Sequence, residues 1–122
     1  VRQPWSINGL VNAVTLAAIS DTEFIQTTKK TICKNRAELA KELSAIEGLQ
    51  VFPSTTNFLL VKILNRKLTS TKLKELLAKE KILIRDCCTF MGMDDSYVRV
   101  TVRSAKDNAL LVDKIRQIMS KL

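Results

Sequence analysis

At 122 residues, with 46% hydrophobic residues and a mean hydropathy of +0.04, the chain can enclose one core without disulfides or a metal and is not a disordered tail. It contains 20 Lys and Arg against 12 Asp and Glu, a net +8 that attracts phosphates in general, but its aromatic content of 5% offers little for a base-stacking platform. Histidine is absent, which excludes His-ligated metal sites and Ser-His-Asp or Cys-His catalysis within these residues.

The remaining bulk features narrow the setting. Cys33, Cys87 and Cys88 form an odd set, and the adjacent pair is poor geometry for a mutual disulfide, so a reducing cytoplasm is the expected compartment. No apolar run approaches the ~20 residues of a membrane span, so no membrane partner is expected. The opening Val1-Arg2-Gln3-Pro4-Trp5 reads as interior sequence, and the chain is expected to be a fragment of a longer protein.

A first helix is predicted from Ser6, its N-cap, to about Ile19. Trp5 staples onto Leu10, and Ile7, Leu10, Val11, Val14, Ala17 and Ala18 form one stripe. Ser20-Asp21-Thr22-Glu23 has the form of a capping box for a second, long helix. Ile25, Ile32, Leu39 and Ile46 recur along it at heptad spacing, and Gly48 closes it as the C′ residue. Leu49–Phe52 is predicted as a strand ended by Pro53, and Phe58–Ile63 as a central one, apolar on both faces. Thr69 or Ser70 caps a third helix carrying Leu73, Leu76 and Leu77, with Glu75 and Lys79 as an i, i+4 pair. Ile82–Ile84 is the third predicted strand and Tyr97–Val102 the fourth. Ser104 opens a last helix through Leu111, Ile115 and Ile118. The expected fold is α+β, a small, mostly antiparallel four-stranded sheet with helices on one face, in the order α-α-β-β-α-β-β-α. Residues 1–48 read as a helical segment leading in, and 49–122 as the α+β domain.

Few residues are candidates for chemistry. Cys87-Cys88 lacks CxxC spacing, Asp94-Asp95 beside Gly92 suits a turn, and no Gly-rich phosphate loop exists. Arg85 and Arg99 differ, because each interrupts an apolar strand with a planar fork of donors suited to carboxylate or phosphate. Two such forks from neighbouring strands could converge on one anion; exposed strand arginines are the plainer alternative.

Gln3-Pro4-Trp5-Ser6-Ile7-Asn8, Pro53-Ser54-Thr55-Thr56-Asn57-Phe58-Leu59-Leu60-Val61, Ile84-Arg85-Asp86-Cys87 and Tyr97-Val98-Arg99-Val100 occur in that order. Together they resemble the C-terminal part of fold-type-I pyridoxal-phosphate enzymes. Within that superfamily they are most similar to the threonine-phosphate decarboxylases of cobalamin biosynthesis, with the histidinol-phosphate aminotransferases as near relatives. The resemblance implies a parent that is a decarboxylase or an aminotransferase, uses pyridoxal phosphate, acts on a phosphorylated amino acid and works as a homodimer. It implies that Arg85 and Arg99 bind the substrate's anionic groups, and that Asn57-Phe58 lies near the site mouth. It also implies that the Schiff-base lysine and the cofactor-binding residues belong to a missing N-terminal large domain. No catalytic, cofactor-binding or metal residue is therefore expected here, no cofactor is expected bound to this fragment, and the fragment alone is expected to be inactive. The rival from another class is a free-standing basic module that binds nucleic acid.

Overall fold

The computed structural model describes residues 9–122, and the described residues carry four helices and four strands in the expected order. The N-cap at Ser6 and the Trp5 staple lie outside the described residues. The chain divides into two compact units, residues 1–31 and 32–122, and the division falls inside the second helix.

The first unit contains α1 (Gly9–Ser20) and the opening of α2 (Thr22–Ser44). No α1 residue is buried, and Leu10, Val14, Leu16 and Ile19 are all exposed. The described part of the stripe expected there is not buried, and Leu16 and Ile19 add exposed apolar residues outside it. The cap of α2 also differs from the capping-box reading by one residue. The Ser20 hydroxyl donates back to the Leu16 carbonyl at 3.0 Å and belongs to the last turn of α1. Asp21 stands between the two helices, and its carboxylate accepts from the Phe24 N–H at 2.9 Å.

The second unit holds the sheet. Its strands are β1 (Leu49–Val51), β2 (Phe58–Ile63), β3 (Arg85–Asp86) and β4 (Tyr97–Thr101), all antiparallel in the order β1-β2-β4-β3. Period-two alternation sends Leu59, Val61 and Ile63 of β2, and Val98 and Val100 of β4, into the core. There they meet Leu39 and Leu43 of α2, Leu73 and Leu77 of α3 (Ser70–Lys79), and Leu111 and Ile115 of α4 (Ala105–Met119). Thr69, not Ser70, caps α3 by accepting from Lys72 N, and Ser104 caps α4 by accepting from Asp107 N. Glu75 pairs with Lys72 at 3.8 Å instead of with Lys79.

Two turn features change the expected boundaries. α2 ends at Ser44, and Gly48 (φ 85°) lies in the tight turn that leads into β1, four residues past the helix. A Cβ on Gly48 would come 2.8 Å from Met119 Cε, the free end of a flexible side chain that can swing aside, so the positive φ is what calls for glycine here. The third strand is Arg85–Asp86 and not Ile82–Ile84. Lys81 adopts a left-handed φ of 62° and Ile82 N donates to Leu77 O at 3.0 Å, so Ile82 begins by closing α3. Ladder pairing starts only where the chain comes alongside β4, at Arg85.

Candidate functional site

Strand alternation decides what the open face of the sheet presents. With Val98 and Val100 in the core, Tyr97, Arg99 and Thr101 point the other way. On β2 the partners of these three are Lys62, Leu60 and Phe58, in that order, all half-buried. Arg85 lies directly opposite Arg99 on β3. The two arginines singled out from sequence are therefore nearest cross-strand neighbours on one face, where Cα atoms stand about 4.5–5.5 Å apart.

Each guanidinium rests on a phenyl ring. Arg99 Cζ lies 4.6 Å from the centre of the Phe58 ring, and Arg85 Cζ lies 5.2 Å from that of Phe90. Both are within the ~6 Å range of cation–π attraction. Among the described residues neither arginine has an ion-pair partner, while six other basic–acidic pairs form elsewhere. Like charges placed directly opposite each other across a ladder destabilise it. The pair is thus a local excess of positive charge, with each guanidinium set over a ring and not consumed by protein acids.

Asp86 points to the opposite face. It is paired with Val98, and its carboxylate accepts from Ser70 Oγ at 2.8 Å, Thr71 Oγ1 at 2.7 Å and Cys88 N at 3.0 Å. Partial burial alone would push this carboxyl up, but the Cys88 N–H and the Thr71 and Ser70 hydroxyls outweigh it and hold the group well below the usual carboxylate range. Cys87, next along the chain, is fully buried; burial pushes its thiol up, against the opposing pull of Arg99 and Arg85. Cys33 and Cys88 are exposed free thiols.

The other sequence candidates find structural roles. Asp94 accepts from Ser96 N at 2.9 Å and so forms the turn before β4. The Asp95 carbonyl accepts from Ser70 N at 2.6 Å. Among the described residues no group of three or more potential ligands could hold a metal ion. Asn57 keeps its place beside Phe58, with its carbonyl accepting from Val102 N at 2.8 Å. Sequence reasoning missed Phe90 and Asp86 as parts of the site, and it missed the stacking role of Phe58. The parity of Phe58 with the outward face of β2 was the one available signal.

The described residues do not fit a pyridoxal phosphate cradle by themselves. No lysine among them is buried; of the two half-buried ones, Lys114 is held by Glu80 at 2.8 Å and Lys62 lies over the Tyr97 ring, 5.0 Å from its centre. Asp86, the one acid set beside the arginines, already spends both oxygens on α3 and Cys88.

A family model described as aminotransferase class I and II matches residues 1–115. The chain belongs to the class I and II aminotransferase family. Among solved structures, this family member is similar to the histidinol-phosphate aminotransferase of Clostridium acetobutylicum, with a TM-score of 0.88 and 32% identity over 99% of the chain and 36% of that protein. It is also similar to the L-threonine-O-3-phosphate decarboxylase of Porphyromonas gingivalis, with a TM-score of 0.81 and 29% identity over 97% of the chain and 36% of that protein. Of curated proteins, an adenosylcobalamin biosynthesis bifunctional protein of Leptospira interrogans is 35% identical over 93% of the chain and 13% of its own length. The chain therefore spans little more than a third, or less, of each of these relatives.

Proposed function

We propose that this chain is the small C-terminal domain of a pyridoxal-phosphate enzyme that acts on a phosphorylated amino acid, and that Arg85 and Arg99 hold the substrate's anionic groups. In this reading residues 49–122 are the small domain and 1–48 lead in from a large domain that holds the cofactor and the reactive lysine. The observation that carries it is the Arg85–Arg99 pair: two neighbouring guanidiniums, each stacked on a phenyl ring, with no acid paired to either among the described residues. An anion bound there relieves the repulsion between the arginines and accepts charge-assisted hydrogen bonds from planar forks that are already oriented.

The arginines contribute by orientation. Stacking on Phe58 and Phe90 restricts how each guanidinium can turn, so the entropy cost of docking an anion is smaller. A substrate held at its charged groups presents one bond geometry to the reacting centre, and that fixed geometry lowers the barrier. The reading also gives a role to α1, whose exposed apolar residues are the kind of surface a further domain covers.

Threonine-phosphate decarboxylase is the preferred activity, because relatives named for cobalamin biosynthesis and for threonine-phosphate decarboxylation stand among the matches. Histidinol-phosphate aminotransferase, or another class I/II aminotransferase, is the alternative. The test is to supply the intact protein with pyridoxal phosphate and either substrate. Carbon dioxide released from O-phospho-L-threonine without 2-oxoglutarate supports the decarboxylase. Transamination of histidinol phosphate that requires an oxo-acid partner supports the alternative, and neither activity removes the reading.

A further inference from the structure

We infer that Asp86 is the positioning residue for Arg85, holding it in register opposite Arg99 by tying β3 to the first turn of α3. This rests on the reading of the two arginines as an anion site and concerns how that site is built.

β3 is the weakest strand in the sheet by construction. It is two residues long, lies at the sheet edge, and one of its two ladder pairs sets Arg85 against Arg99. Its first pair is therefore repulsive, and edge strands of this length contribute little cooperative pairing. Backbone pairing continues only as far as the Cys87 N to Tyr97 O bond at 3.1 Å. What fixes the strand from outside the ladder is the Asp86 carboxylate, with one oxygen on Ser70 Oγ and Cys88 N and the other on Thr71 Oγ1.

The far end of that tie is itself immobilised. Ser70 is completely buried, and its N–H donates to the Asp95 carbonyl at 2.6 Å, so α3 is joined to the loop that enters β4. Consecutive strand residues face opposite sides, so anchoring Asp86 on the helix side determines where Arg85 emerges on the open side. Asp86 does this without neutralising Arg85, because its oxygens are directed at hydroxyls and a backbone N–H. An acid on the open face would pair with the guanidinium and compete with a bound anion.

The test is a double-mutant cycle on O-phospho-L-threonine affinity, measured by calorimetric titration of the intact protein. It uses Arg85→Ala, Asp86→Asn and the double variant, with near-ultraviolet circular dichroism confirming native packing. Asp86→Asn keeps the side chain's shape and the Arg85 side chain itself but weakens the tie that positions it, and it is expected to weaken binding about tenfold. In the Arg85→Ala background the same change is expected to have no further effect. If Asp86→Asn leaves affinity unchanged while Arg85→Ala weakens it, the positioning role is wrong and the anion site stands. If Asp86→Asn weakens binding equally in both backgrounds, it acts through general loosening and the inference is overturned. If Arg85→Ala itself changes nothing, the anion-site reading fails and this inference falls with it.

Discussion

Removing the Asp86 carboxylate should expose how the small sheet is held together. Asp86→Ala deletes the acceptor for Ser70 Oγ, Thr71 Oγ1 and Cys88 N. Thr71 and Cys88 are exposed and can turn to water, so their share of the cost is small, but Ser70 is 0% exposed and its hydroxyl is left stranded. A hydrogen bond to a charged group contributes about 1.5–3 kcal/mol, and stranding a buried donor falls in the same range, so the expected destabilisation is about 3 kcal/mol. In Ser70→Ala/Asp86→Ala the stranded donor is gone, so the double variant should be less destabilised than the sum of the singles, with a coupling of about 1–2 kcal/mol. The assay is urea unfolding of the 122-residue chain in all four forms at neutral pH. Additivity within about 0.5 kcal/mol would refute the reasoning, because distant, independent sites behave that way. The pH dependence has a definite sign. The folded-state carboxyl is depressed, so its contribution is complete well above the unfolded value of about 3.9 and is lost progressively as pH falls from there through the depressed folded value. Asp86→Asn should flatten that acid limb.

Two further outcomes test the local structure. Lys81 occupies a left-handed φ of 62° that costs a non-glycine residue about 1–2 kcal/mol, so Lys81→Gly should raise the unfolding midpoint, and a lowered midpoint would contradict the assigned turn. A thiol reagent should modify Cys33 and Cys88 in the native chain and reach Cys87 only on unfolding, so three equally fast thiols would contradict the burial of Cys87.

Periodicity made most of the fold readable. β2 was legible to the residue, because the polar turn Ser54-Thr55-Thr56-Asn57 precedes a run that is apolar except for Lys62. α4 was legible from Ser104 and its spaced apolar residues. The third strand was misplaced for a physical reason. Ile82-Leu83-Ile84 has strand composition, yet Ile82 is claimed by the turn that closes α3, and Leu83 is 84% exposed. Propensity marked the segment, while tertiary geometry chose the polar dipeptide beside it as the paired residues. The Ser20 cap failed similarly, because two helices compete for one short junction and the motif alone does not say which helix owns the serine.

The site was half legible. Two arginines breaking apolar strands could be seen in the sequence, and their direct opposition follows from register, which depends on long-range pairing. The supporting residues were harder to find. Phe90 is separated from Arg85 by a turn, and Asp86 reads as an ordinary loop acid until the buried Ser70 is known to lie against it. Low aromatic content counted against a stacking surface, yet Phe58, Phe90 and Tyr97 each lie under a cation, so placement mattered more than number.

The most direct test of the central claim is the affinity of the intact protein for O-phospho-L-threonine with and without its paired arginines. Each charge-assisted hydrogen bond removed costs about 1.5–3 kcal/mol, so Arg85→Ala and Arg99→Ala should each weaken binding about 10- to 100-fold. Added salt should weaken binding in the wild type more than in either variant. Unchanged affinity in either variant, with native folding retained, would contradict the assignment of Arg85 and Arg99 as the anion-binding pair.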